Sequence, residues 1–200
     1  LKSISSKMFN PAESNPAVVA KAKQIITDVD PDAWNQLVRV ELERRLGSIK
    51  PTEGETLQNI PGQIYRAIFG NDKQSKVLYQ ALDAEQSKNL KYIQTALGRA
   101  RIGRPGGSQT AAREEIKKEL SGGAVKSIRE FISSPVKTIT GVGDDAAFNR
   151  RVGALAETMY NPKWSPKMKA IRKLSPDSPA AARAMTQLLD DITLDQKEDK

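Results

Sequence analysis

Apolar residues along the chain recur every three or four positions, which is the spacing of helices with one buried face. Four predicted helices begin with a capping residue followed by proline, at Asn15-Pro16, Asp30-Pro31, Ser165-Pro166 and Ser178-Pro179. Proline is tolerated at the first helical position because its missing N–H has no intrahelical partner there. Only the short segment 136–140 has the composition of a strand. The pattern therefore predicts an all-α fold, an irregular array of about eight helices with one long central helix and no significant sheet.

The first part of the chain is predicted to form two helices, 16–29 and 31–46, and each begins at one of these proline signals. A loop at 48–59 and a short helix at 61–69 follow. In the first helix the periodicity selects one buried face, made of Val18, Ala22, Ile25, Ile26 and Val29.

The longest predicted helix runs from Asp72 to Gly98, which is about 26 residues or ~39 Å at 1.5 Å per residue. Its middle, 85–89, is entirely polar. A glycine- and arginine-rich loop, GRARIGRPGGS, follows at 98–108. The remaining predicted helices begin at Ser108 or Thr110, or span 124–133, 144–160, 166–174 and 179–193.

These elements suggest a division of the chain into three parts. Residues 1–59 form an N-terminal helical pair and linker, residues 60–193 form the main helical domain, and residues 194–200 form a disordered tail. No apolar run approaches the ~18 residues of a membrane-spanning helix. The chain begins at Leu1 rather than at Met, so we expect it to be a fragment of a longer protein.

The composition limits the kinds of catalytic and metal site that the chain can form. The chain contains no cysteine and no histidine, which excludes disulfides, thiol nucleophiles, histidine-based triads and the usual catalytic zinc sites. The sequence GVGDDA at 141–146 has the spacing of a dinucleotide-binding turn, but Asp144 and Asp145 would repel a phosphate. We therefore predict no enzyme activity, no catalytic residue, no metal and no cofactor. An enzyme that uses carboxylates or a serine–lysine pair is the rival interpretation.

The net charge of +8 is concentrated in two stretches that lack acidic residues, Gln86–Ala112 and Thr158–Pro176. Such stretches attract phosphate, anionic lipid or an acidic protein, although they also occur as solvated surface. The second stretch contains Trp164 and would equally suit a contact with a subunit or a lipid. The candidate residues for binding the DNA backbone are Arg99, Arg101, Arg104, Arg113, Lys163, Lys167, Lys169, Arg172 and Lys173.

Four short motifs follow one another in the chain. They are IFGND at 68–72, the dipeptide Ala84-Glu85, GSQTA at 107–111 and Tyr160-Asn161-Pro162. In this order they resemble the C-terminal region of the internal virion proteins of short-tailed bacteriophages, which are also called ejection or DNA-transfer proteins. Some members carry a lytic transglycosylase domain, but the Glu13-Ser14 pair here lacks the glycine–glutamine segment of that domain.

The resemblance implies a structural protein that lies inside the virion, is ejected with the genome and then reaches the host cell envelope. There it would assemble, with copies of itself or with other ejection proteins, into part of a helical conduit for DNA delivery. The expected partners are therefore a homo-oligomer or other ejection proteins, the double-stranded DNA backbone and the host envelope. The alternative function is a basic helical module that binds nucleic acid without sequence specificity.

Overall fold

The fold is all-α, as predicted. The computed structural model describes residues 2–10, 12, 14–49, 60–102, 122–133 and 144–198, and within these ranges there are ten α-helices and no strand. A 3-10 turn at Pro162–Trp164 leads directly into the ninth of these helices. The helices are α1 Lys2–Met8, α2 Pro16–Val29, α3 Pro31–Gly47, α4 Ile60–Phe69, α5 Asp72–Ala81, α6 Ala84–Ile102, α7 Gly123–Ser133, α8 Asp144–Tyr160, α9 Ser165–Ile171 and α10 Pro179–Glu198.

Three of the four predicted proline starts are capped as expected. The side chain of Asn15 accepts a hydrogen bond from the backbone N–H of Val18 at 3.0 Å. Asp30 accepts from two backbone N–H groups in the first turn of α3, and Ser178 accepts from one in the first turn of α10. The fourth start differs, because Ser165 lies inside a helix that continues directly from the 3-10 turn and has no side-chain cap.

The prediction of one long helix from 72 to 98 is wrong, because the chain breaks at Leu82 and Asp83. Leu82 is extended, with φ −87° and ψ 155°. Asp83 and Gln86 then form a capping box: Gln86 N–H donates to Asp83 Oδ1 at 2.7 Å, and Asp83 N–H donates to Gln86 Oε1 at 2.9 Å. This exchange starts α6 as a new helix.

Side chains from α2 and α3 stabilise the break by binding the carbonyl groups beside it. Trp34 Nε1 donates to the carbonyl of Ala81 at 2.8 Å, and Lys23 Nζ donates to that of Leu82 at the same distance. A buried carbonyl without a partner would cost about 1–3 kcal/mol. The tertiary contacts therefore supply the donors that a continuous helix would have supplied.

Two helices extend beyond their predicted ends. α6 continues past Gly98 to Ile102, so the first residues of the predicted loop at 98–108 are helical. α10 continues to Glu198, so the predicted disordered tail is wrong for residues 194–198. An ion pair between Lys163 and Asp195 adds a tertiary contact to that last part of α10. The predicted strand-like segment 136–140 and most of the predicted loop 48–59 lie outside the described residues.

The buried apolar side chains form one continuous core that includes both sides of the predicted domain boundary at 59. The rings of Phe9 and Trp34 lie 6.1 Å apart within it. α3 contacts α1, α2, α4 and α8, while α8 also contacts α6, α7 and α10. Every residue of α8 from Val152 to Tyr160 is buried, as expected for a helix surrounded by others.

The predicted inner face of α2 is rotated. Val19 is fully buried, whereas Val18, Ile25 and Val29 are exposed by 52%, 58% and 85%. Only Ala22 and Ile26 of the predicted face pack against the core. α2 has apolar residues over a wide arc, and its contacts with α3 and α5 select the edge that contains Val19.

Candidate nucleic-acid interface

The first predicted basic cluster lies at the end of α6. The positions of Arg99 and Arg101 are in its last turns, because the helix extends to Ile102. Their side chains, and the whole of Arg104 and Arg113, lie outside what the structure describes. The helical part of this stretch that the structure does describe carries Lys88 and Lys91 on its exposed side.

The second predicted cluster occupies the 3-10 turn, α9 and the turn after it. Lys163 pairs with Asp195, and Lys167 Nζ lies 2.6 Å from Asp191 Oδ2; both acids are on α10. The same two ammonium groups lie 5.2 and 5.3 Å from the ring centre of Trp164. This indole is 7% exposed, so the two lysines cover it.

Arg172 lies on the other side of the cluster and joins α9 to α6. Its guanidinium pairs with Glu85 in the first turn of α6, and Lys88 Nζ approaches the same carboxylate at 2.7 Å. Hydrogen bonds from Lys88 and Arg172 lower the pKa of Glu85 to about 2. The single carboxylate of Glu85 thus pairs with two cations, Lys88 and Arg172, so the three groups together carry a net positive charge.

The fold therefore brings the two acid-free stretches together. α9 packs against α6, and the Arg172–Glu85 pair lies at their contact. Lys91, Lys169 and Lys173 are exposed and make no ion pair with any other described residue. We call these three lysines, together with Lys88 and Arg172, the α6–α9 basic surface.

The second predicted cluster thus divides into lysines that pair with described acidic residues and lysines that do not. Lys163 and Lys167 face acids on α10 and are largely neutralised, whereas Lys169 and Lys173 have no such partner among the described residues. The sequence does not indicate this division, because Asp191 and Asp195 are 24 and 32 residues away from the lysines that they bind. No local spacing rule connects residues so far apart.

A cleft of about 920 Å³ between α3, α8 and α10 has no counterpart among the sequence predictions. Its charged lining includes Arg39, Glu43 and Glu157. Glu157 is 7% exposed, and both of its oxygens already accept hydrogen bonds, from the hydroxyl of Tyr160 and the amide of Asn161. Burial, together with the hydrogen bond to Glu157, raises the pKa of Tyr160 above its usual value. The carboxylate is thus held by internal donors.

A second cavity, of about 660 Å³, lies beside α4 and α5 and is lined in part by Tyr65, Phe69 and Tyr79. The hydroxyl of Tyr79 donates to Gln94 Oε1 at 2.8 Å. Burial, assisted by Tyr65, raises the pKa of Tyr79 to about 12. The phenol therefore stays protonated at neutral pH and acts as a donor to α6.

The described part of the chain also bears on metal sites and membrane spans. Among its residues, no three acidic side chains are grouped so that they would hold a metal ion. None of the described helices combines the length and the apolar character that a membrane span requires.

Comparison with protein-family models, with curated proteins and with solved structures gives no match to this chain. The residues of the chain itself therefore carry any functional proposal.

Proposed function

We propose that this chain is a structural subunit of a bacteriophage virion that contacts the DNA backbone. In this proposal it is ejected with the genome and assembles, in the host envelope, into part of a conduit for DNA. It performs no catalysis and needs no cofactor. The single observation that carries the proposal is the packing of α9 on α6, which brings the two basic stretches into contact at Arg172 and Glu85.

The charge of this surface supports contact with phosphate. Lys91, Lys169 and Lys173 are exposed without an acidic partner among the described residues, and Lys88 and Arg172 share Glu85. Lysines and arginines bind DNA phosphates by releasing condensed counterions, and this contribution does not depend on sequence. A protein that lines a DNA path needs this kind of contact, because every genome segment has to pass it.

The way in which two basic side chains of this surface are held fits the same role. Reading a sequence in the major groove requires a helix that presents side chains to base edges. Two of the basic side chains on the surface, Lys88 and Arg172, are held by a carboxylate, so they contribute charge more than adaptable hydrogen bonding. The alternative function, a nucleic-acid-binding module that acts as a monomer or dimer, uses the same surface but does not require assembly into a conduit.

The test is the combined variant Lys91→Gln, Lys169→Gln and Lys173→Gln. We expect its affinity for double-stranded DNA to fall, and the slope of log affinity against log salt to decrease by about 0.9 for each phosphate that the protein no longer neutralises. Different DNA sequences should bind about equally well to the unchanged protein. A second variant, Arg99→Gln with Arg101→Gln and Arg104→Gln, tests the continuation of the first stretch.

The matched control is Lys7→Gln, Lys73→Gln and Arg183→Gln. These three residues are exposed on other helices, and their replacement lowers the net charge of +8 by the same three charges, to 8 − 3 = +5. Equal effects in both triple variants would mean that only total charge matters and would contradict a DNA path along α6 and α9. Sedimentation decides between the two functions, since a conduit subunit forms rings or tubes and a simple module stays a monomer or dimer.

A further inference from the structure

α2 exposes a row of apolar side chains that no described part of the chain covers. Val18, Ile25 and Val29 are exposed by 52%, 58% and 85%. At about 100° per residue their positions fall within about 40° of one another around the helix axis. They therefore form a straight row along one face, about 100° around the helix from the buried Val19.

Two charged residues lie along one edge of this row. Lys21 and Asp28 are both exposed, and neither forms an ion pair with another described residue. Their positions are about 40° and 60° from that of Ile25, on the same side. The two charges are opposite, and they lie on either side of Ile25 along the helix.

We propose that this face of α2 binds the same face of a second copy of the chain, antiparallel and about a two-fold axis. A two-fold pairing that places Val18 opposite Val29 of the partner copy centres between residues 22 and 25. The same pairing brings Lys21 to within about 3 Å, along the helix axis, of the level of the second copy's Asp28. Because a two-fold axis repeats every contact, two such ion pairs form on one edge.

Charge complementarity points to a second copy in this orientation. In a parallel two-fold pairing, the charged edges of the two copies would lie on opposite sides of the contact, and neither Lys21 nor Asp28 would meet its opposite charge. The face is thus complementary to itself when the two helices run in opposite directions. Three apolar side chains bury less than the roughly 1,200–2,000 Å² of a standard interface, so the contact is weak and forms at high local concentration.

This inference rests on the proposed assembly and names one of its interfaces. The chain has no cysteine, so single-cysteine variants report contacts without background. A mixture of Val18→Cys and Val29→Cys proteins is expected to form a disulfide-linked heterodimer under mild oxidation. Either variant alone should not cross-link, because its cysteine lies about 17 Å along the helix axis from the same cysteine in the second copy.

Two substitution experiments measure the strength of the contact. Ile25→Gln is expected to weaken dimerisation in sedimentation equilibrium by roughly ten- to a hundredfold, since a large apolar side chain no longer becomes buried. Leu194→Gln, at an apolar residue that is 58% exposed on α10, is the matched control and should change nothing. Lys21→Glu or Asp28→Lys alone should weaken the dimer, and the two together should restore it.

Each outcome decides the inference. Cross-linking of Val18→Cys with itself would show a parallel pairing and overturn it, as would a mixture that reacts no faster than Leu194→Cys. The same samples are examined with and without DNA. If dimers form but DNA binds without salt dependence, the proposed function fails while the interface stands. If the Ile25→Gln protein forms larger assemblies as strongly as the unchanged protein does, the interface fails and the proposed function stands.

Discussion

Glu41 and Arg45 form an ion pair that is almost completely buried, with Arg45 Nε 2.6 Å from Glu41 Oε1 and the side chains of Arg45 and Glu41 3% and 0% exposed. The guanidinium also donates to the carbonyls of Ile68 at 2.8 Å and Phe9 at 3.4 Å. Burial lowers the pKa of Arg45 from its usual value, and Glu41 opposes that shift. One arginine on α3 therefore binds the ends of α1 and α4 together.

The first prediction concerns this buried pair. Arg45→Met is expected to lower the free energy of unfolding by about 3–5 kcal/mol, because it leaves Glu41 charged and buried without its closest partner. Arg44 binds the same carboxylate, but its side chain is 46% exposed. Arg44→Gln is therefore the control and should cost less than about 1 kcal/mol. Urea denaturation at neutral pH measures both, and similar losses in the two variants would contradict the prediction.

The second prediction concerns the break between α5 and α6. Asp83→Ala removes the side chain that caps α6 and is expected to lower the free energy of unfolding by about 0.5–2 kcal/mol. Asp83→Asn keeps the capping oxygen and removes only the charge, so it should retain most of the stability. Thermal denaturation of the three proteins distinguishes these effects. The charge of Asp83 also opposes the effect of burial on the pKa of Lys23. If the Asn and Ala variants were equally destabilising, this charge interaction would matter more than the cap.

The break also shows what the sequence can and cannot predict. The residues Asp83, Ala84, Glu85 and Gln86 have the spacing of a capping box, with the acceptor at the first position and glutamine three residues later. That signal is present, but apolar residues recur at helical spacing on both sides of the polar stretch 85–89 and favour a single helix. The two donors that bind the freed carbonyls, on α2 and α3, lie far away in the chain and leave no local signal.

The buried edge of α2 and the joining of the two basic stretches escape sequence prediction for the same reason, because both depend on residues far away in the chain. Helix limits and caps depend on neighbouring residues, so the bounds 16–29 can be predicted and are confirmed. Which of two apolar edges becomes buried depends on α3 and α5, so the exposed position of Ile25 cannot be predicted from α2 alone. The two acid-free stretches are visible in the sequence. Their junction through Arg172 and Glu85 spans 87 residues and requires the fold.

The third prediction concerns Glu85 at low pH. Its pKa is lowered to about 2 by hydrogen bonds from Lys88 and Arg172, compared with an ordinary value of 4.5. A lowered carboxyl pKa contributes stability above pH 4.5, and this contribution disappears as the pH falls from 4.5 to about 2. Glu85→Gln should therefore lose stability at neutral pH and match the unchanged protein near pH 2.

Urea midpoints at several pH values between about 2 and 7 test this prediction. Glu130→Gln is a suitable control, because Glu130 is paired with Lys126 at 3.9 Å on an exposed helix face. A difference between Glu85→Gln and the unchanged protein that stayed constant down to the lowest pH would show that the side chain acts through packing instead of charge.

The last prediction concerns Tyr79 at high pH. Burial, with a smaller effect of Tyr65, raises its pKa from 10.0 to about 12. Between these values the unfolded chain loses the phenolic proton and the folded chain keeps it, so the group stabilises the fold less and less as the pH rises through this range. Tyr79→Phe removes this titration and is expected to lose less stability over that range than the unchanged protein. At neutral pH the variant lacks the hydrogen bond to Gln94 and should be slightly less stable.

Denaturation midpoints, followed together with the ultraviolet absorbance of tyrosinate, measure both effects. Parallel loss of stability in the two proteins as the pH rises from 10 to about 12 would mean that Tyr79 ionises as readily in the folded chain as in the unfolded one.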